Sequence, residues 1–251
     1  GETDGLNFFD QIKGFEADDE DWHPMVVYLG KLMIGDGRYV ATFDNTVSPS
    51  VWSATALTLP VGYKIRTMVV YGDRLVIGTW KGTNIYDYSE AALFTWNGTD
   101  TLPEETWTLE EAGIHALTPW RNILVVFAGT KGNIYQFNGS SLTELTEIPR
   151  GDSAPGSWGQ VYPNSVIEHN GNLLFGWSSD SWDYAGIYSL GQIGQNISLT
   201  SPYRLSVETT GSIKIPSIIK ASSDIFYASW DSGGVSYGVD QTSTNRRETN
   251  S

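Results

Sequence analysis

Cysteine is absent from the 251 residues, which excludes disulfides, thiolate metal sites and cysteine nucleophiles. Positive charge is scarce: 15 Lys and Arg stand against 29 Asp and Glu, for a formal net charge of −14. A chain this acidic repels phosphate backbones, and no Lys/Arg stripe offsets the repulsion, so nucleic acid is not an expected partner. No apolar run approaches the roughly 18 residues that a bilayer crossing requires, so no membrane insertion is expected. Catalytic signatures are missing too. There is no Gly-x-Ser-x-Gly elbow, no His-Glu-x-x-His pair and no phosphate-cradling glycine loop. Neither an enzyme nor a cofactor nor a metal is therefore the first expectation. Methionine is also rare, at 3, and the chain opens on Gly1, which reads as an excerpt or a processed product of something longer.

What is abundant is turn-forming and sheet-forming. Gly 27, Trp 10 and Tyr 13 point to many tight turns and half-buried strands. The strongest signal is an internal repeat. Met25–Gly35 reads MVVYLGKLMIG and Met68–Gly78 reads MVVYGDRLVIG: two apolar runs joined by a short turn and ending in Gly. That is a β-hairpin written twice, with a primed turn that needs positive φ. Weaker copies are Ala116–Gly129 (ALTPWRNILVVFAG), Val166–Gly176 (VIEHNGNLLFG) and Ile218–Ala228 (IIKASSDIFYA). A third strand and turn follow each hairpin, as VATFDNT, LFTWNGT and IYQFNGS, then as the degenerate IYSLGQ and SYGVDQT. The large residue before that turn is Phe43, Trp96, Phe137, Leu190 and Val239, at spacings of 41 to 53 residues. Polar segments from Val51, Thr106 and Ser141 supply a fourth strand; the one helix candidate, Pro103–Ala112, competes with that reading.

Three strands plus a variable fourth at this period is the pattern of a propeller blade. A lone four-stranded sheet cannot bury both faces, whereas stacked blades cover one another. The fold expected is all-β: a β-propeller of about five four-stranded blades, at approximately 25–60, 66–111, 115–149, 164–206 and 216–251, after an N-terminal segment 1–24. Inner strands are expected to be apolar throughout and the third strand to alternate. Two readings of the ends stay open. Leu6–Phe9 (LNFF) closes the last blade, or Arg246–Ser251 begins its fourth strand in a chain that continues.

Aligning the hairpins puts His23, Arg66, His115, Asn164 and Pro216 at the entry to each innermost strand, where a propeller has the mouth of its channel. The first four are candidate ligand-binding residues. Loop aromatics form a second candidate set: Trp80, Tyr86 and Tyr88 in Gly78–Ala92, and Trp177, Trp182 and Tyr184 in Gly176–Gly186. Their rings suit the apolar faces of sugars. The acidic run Glu16–Asp21 lacks the bend glycine and spaced ligands of a calcium loop, and reads as a solvated loop. Asn97, Asn138 and Asn196 open Asn-x-Ser/Thr patterns, two of which the Asn-Gly turns already explain.

The hairpins, with their Gly-Asn-Ile-Tyr (132–135) and aromatic-Asn-Gly-Thr/Ser (96–99, 137–140) signatures, resemble β-propeller modules in structural proteins of tailed bacteriophages and secreted adhesive propellers of bacteria. The resemblance covers Met25–Thr242 on short motifs. It implies a non-enzymatic scaffolding or adhesion module of a phage tail, fibre or capsid-associated protein, in a virion or extracellular. The partners it implies are other virion or cell-surface proteins or a host-surface glycan. Two alternatives are a secreted lectin and a five-bladed glycoside hydrolase, which Asp21–Asp36 faintly resembles. Those enzymes place an acidic residue before the proline, where this chain has His23, and Arg66, His115 and Asn164 are not carboxylates either.

Overall fold

The structure of the protein, a computed structural model, describes residues 23–82, 90–148, 159–180, 184–193, 196–203, 205–206, 211–223, 225–233 and 236–243. The described residues form nineteen strands and no helix. Leu6–Phe9, Glu16–Asp21 and Arg246–Ser251 lie outside them, and with them both readings of how the chain ends meet.

Five antiparallel sheets follow one another in sequence. The first holds β1 (Met25–Tyr28), β2 (Lys31–Asp36), β3 (Tyr39–Asp44) and β4 (Val51–Thr58). The second holds β5 (Tyr63–Tyr71), β6 (Arg74–Lys81), β7 (Ala91–Trp96) and β8 (Glu105–Leu109). The third holds β9 (Ile114–Trp120), β10 (Ile123–Ala128), β11 (Asn133–Phe137) and β12 (Leu142–Glu147). The fourth holds β13 (Gly159–His169), β14 (Asn172–Ser179), β15 (Gly186–Ile193) and β16 (Asn196–Tyr203). The fifth has three described strands, β17 (Lys214–Lys220), β18 (Ile225–Asp231) and β19 (Tyr237–Ser243). Each sheet runs in sequence order, every strand hydrogen-bonded to the next, as successive hairpins require. The chain divides into two compact units, Gly1–Ile114 and His115–Ser251.

The repeat has a common register. Leu32 pairs with Phe43, Leu75 with Trp96, Leu124 with Phe137 and Leu173 with Leu190. The fifth copy departs from it. β19 runs straight through the turn expected after Val239, which pairs with Ser229 and is 65 % exposed. Pro103–Ala112 resolves into the strand β8. β7 is buried from end to end rather than alternating, and β1 is not covered on both sides. Val26 and Tyr28 pack into the core of the first unit while Met25 and Val27 face away from it, exposed.

The cores lie between sheets. In the first unit Tyr28, Met33, Val40 and Leu57 of the first sheet meet Leu75, Ile77, Phe94 and Trp96 of the second. In the second unit Trp120, Val125 and Phe127 meet Leu173, Phe175 and Trp177, and on the other face of the fourth sheet Leu174 and Ile187 meet Ile215, Ile218 and Phe226. The glycine that closes the hairpin motif has a packing reason. A Cβ on Gly35 would stand 2.8 Å from Cγ2 of Ile65, one on Gly78 2.5 Å from Cγ2 of Ile114, and one on Gly176 2.6 Å from Cγ2 of Ile215. In each case the isoleucine comes from the first strand of the following repeat, and it occupies the space where a side chain would be.

Candidate functional site

Three of the residues aligned at the strand entries, Arg66, Asn164 and Pro216, sit at irregularities of the strand pairing. Arg66 is the extra residue between the pairs Ile65–Thr79 and Thr67–Gly78. Asn164 lies between Val161–Trp177 and Val166–Phe175, and Pro216 between Lys214–Asp231 and Ser217–Ser229. A bulge re-aims the side chain it carries, and here the outcomes diverge. Arg66 and His115 are almost wholly buried, at 2 % and 1 % exposure, while Asn164 is exposed. His23 is half-buried, with Nδ1 3.0 Å from the Gly35 carbonyl oxygen and 4.0 Å from the Asp36 carboxylate. His23 and Arg66 belong to the first unit, His115 and Asn164 to the second.

The loop aromatics are placed differently from the expectation. Trp80 and Trp177 are not on exposed loops, because β6 continues to Lys81 and β14 to Ser179. Trp177 is 1 % exposed within a core and lies where a Cβ on Gly159 would be, 1.9 Å from its ring. Trp80 is 5 % exposed, with the Lys64 ammonium 5.0 Å from its ring centre. Tyr184 is half-buried, and its carbonyl accepts a 2.9 Å hydrogen bond from the Tyr188 hydroxyl. Burial pushes the Tyr188 phenol above its ordinary range. Tyr86, Tyr88 and Trp182 lie outside the described residues.

The aromatic-Asn-Gly turns show one geometry. Asn97 Oδ1 accepts from the backbone and hydroxyl of Thr99, both at 2.9 Å, and Asn138 Oδ1 accepts from the backbone and hydroxyl of Ser140 at 3.0 and 3.1 Å. Asp44 does the same with Thr46, at 3.0 and 2.6 Å. The Ser/Thr two places on is therefore a turn residue in all three.

A site that the sequence pattern did not single out lies in the second unit. A cleft of about 480 Å³ is lined by Trp120, Arg121, Asn122, Ile123, Gln136, Gln192 and Ile197. The β9–β10 turn, mid-β11, the end of β15 and the start of β16 bring these residues together. Arg121 is held across the cleft: Nη1 donates to Gln192 Oε1, Nη2 donates to the Gly171 carbonyl at 3.1 Å, and the guanidinium lies 4.9 Å from the Trp120 ring centre. All three partners are uncharged. Three other cations meet acids instead: Lys31 with Asp44 at 3.5 Å, Lys81 with Glu90 at 3.2 Å, and Arg74 with Glu104 at 3.3 Å. The hydrogen bond from Arg74 to Glu105 raises its already high pKa further. Gln136 donates to Thr143 Oγ1 at 3.2 Å. Among the described residues, the buried Trp120 indole N–H has no hydrogen-bond acceptor in reach.

The corresponding β1–β2 turn in the first unit is closed. Tyr28 stands in place of Trp120 and donates its hydroxyl to the Asp73 carbonyl at 2.6 Å. Burial first, then the nearby Asp73 and Glu104 carboxylates, raise its pKa. Leu29 stands in place of Arg121 and covers Gly98, where an added Cβ would be 2.6 Å from Leu29 Cδ1. The β1–β2 turn thus fills with its own side chains the place that the cleft takes at the β9–β10 turn.

No family model matches the chain, and no curated protein matches it. Solved structures do. The extracellular domain of BT4673 from B. thetaiotaomicron, itself propeller-like, superposes with a TM-score of 0.54 at 14 % identity over 92 % of this chain and 28 % of that one. The computationally designed Ika8 protein superposes at 0.51 with 10 % identity, over 86 % of this chain and 57 % of that one. The chain therefore spans under a third of the first structure and little more than half of the second. These likenesses define the fold: the protein is of the β-propeller class, built from five antiparallel sheets of three or four described strands.

Proposed function

We propose that this protein is a non-enzymatic binding module on the outside of a virion or cell, one that attaches its parent assembly to a surface glycan. The observation that carries the reading is the lining of the Trp120–Arg121 cleft. It combines three carboxamides, one cation and an aliphatic patch, and among the described residues it contains no carboxylate to act as general acid, base or nucleophile. Such a lining orients a polar ligand by hydrogen bonds and apolar contact without the groups that glycoside cleavage needs. The resemblance to phage and adhesive propellers supports an exterior setting. So does the BT4673 structure, an extracellular domain.

A glycan array, paired with reducing-sugar release from mixed polysaccharides, tests the proposal. The expected result is retention on a subset of glycans with no sugar released. Release that His23→Ala, Arg66→Ala or His115→Ala abolishes, without loss of thermal stability, would establish the hydrolase alternative instead. Retention on no glycan would overturn the glycan role.

A further inference from the structure

The charge of the cleft makes the ligand class more specific, on the footing that the protein is a glycan-binding module. The protein carries a formal charge of −14, and among the described residues Arg121 is the one charged residue of the cleft lining. Its guanidinium is exposed, and its hydrogen bonds go to a side-chain amide and a backbone carbonyl. A guanidinium is a planar fork whose paired N–H groups match a carboxylate, and a charge-assisted pair is roughly twice as strong as the neutral bonds it would replace. The surrounding lining favours a hydroxylated ring. Asn122, Gln136 and Gln192 each offer a donor and an acceptor, and Ile123 and Ile197 give an apolar surface for ring C–H groups. A cavity of this size holds one or two sugar rings. An extended peptide fits less well. β11 is flanked by β10 and β12, and β15 by β14 and β16; the edge strand β16 reaches the cleft only through Ile197, so the lining offers side chains rather than a length of free hydrogen-bonding ladder.

Backbone conformation is compatible with this. Arg121 sits at φ 56°, in the left-handed region, at the turn position that Leu29 holds at φ 50°, Asn170 at φ 51° and Gly72 at φ 64°. Asn and Gly adopt that conformation readily and Arg does not. Where a larger residue holds this position its side chain is engaged: Leu29 covers Gly98, and Arg121 spans the cleft to Gln192 and the Gly171 carbonyl. We infer that the Trp120–Arg121 cleft binds a carboxylated sugar unit of a surface glycan, with Arg121 pairing the carboxylate and the carboxamides holding ring hydroxyls.

The test is a ¹H–¹⁵N titration of the whole chain that follows the indole resonance of Trp120, assigned by Trp120→Phe. The probes are methyl β-D-glucuronide, methyl α-N-acetylneuraminide, the methyl ester of each, and an acetylated dipeptide with a free C-terminal carboxylate. The expected result is saturable movement with at least one acid, and binding at least about tenfold weaker for its ester and for Arg121→Asn. Gln136→Leu, which leaves the turn untouched, should weaken the same acid several-fold and keeps the test valid should Arg121→Asn fail to fold. Equal movement with acid and ester would overturn the charge assignment, equal movement with the dipeptide the sugar assignment, and no movement with any probe the site. Array binding that survives in Arg121→Asn would leave the glycan-binding reading standing and remove this cleft from it.

Discussion

At the scale of single residues, the turn-forming Asx oxygens are the clearest case of sequence dictating geometry. Asp44, Asn97 and Asn138 each fold the next two residues back onto a side-chain oxygen, so the Asx-x-Ser/Thr pattern is legible as a turn from the residue types alone. Asp44 also makes a pH prediction. The hydroxyl and backbone hydrogen bonds of Thr46, with Lys31 nearby, hold its carboxyl below the ordinary value of 3.8. A lowered folded-state pKa contributes stability that is complete above 3.8 and is lost as pH falls through the depressed value. The melting-temperature gap between wild type and Asp44→Ala should therefore be constant from neutral pH to about pH 5 and close below 3.8. Arg121 was not legible in the same way. Its partners lie at positions 120, 171 and 192, and only folding brings the last two to it. One trace existed, a Trp-Arg-Asn turn where the other hairpins have Leu-Gly, Gly-Asp and Asn-Gly, and the hairpin pattern alone gives it no weight.

At the scale of elements, the hairpin repeat was legible because apolar runs, a primed turn and a terminal glycine recur together. The reason for the glycine was not. It follows from Ile65, Ile114 and Ile215, which lie 30, 36 and 39 residues further along the chain. Gly78→Ala should cost about 1–3 kcal/mol, the range for overpacking, because the new methyl meets Ile114 and Thr67 side chains at 2.5 and 2.8 Å. Combining it with Ile114→Ala, itself worth about 2–5 kcal/mol, should cost clearly less than the sum, since the smaller side chain relieves the clash. Urea denaturation of the four proteins measures this, and strict additivity would refute the contact. Trp80 and Trp177 were misplaced for a related reason. Each follows a motif glycine, which reads locally as the start of a loop, yet both strands continue past the glycine with their residues buried.

At the scale of the whole molecule, alternation and period sufficed for the fold class, since a succession of apolar four-stranded sheets must cover its faces with further sheets. The fifth repeat was the least legible. Its sequence is the most diverged, and β19 extends across an expected turn. Net charge makes a further prediction at this scale. With −14 spread over the surface, self-repulsion destabilises the folded state at low ionic strength. Adding NaCl from about 10 mM to about 150 mM shortens the screening length from roughly 30 Å to 8 Å, and calorimetry should show the melting temperature rising. A flat or falling trend would mean that local ion pairs such as Arg74–Glu104 outweigh the net field.

Whether the molecule acts through the Arg121 cleft is tested most directly by comparing wild type and Arg121→Asn on immobilised acidic and neutral glycans, beside their melting curves. The result expected is a wild-type signal on carboxylated glycans that vanishes in the variant, with the melting temperature unchanged or raised because asparagine suits the left-handed turn. Equal binding by the two proteins would contradict it.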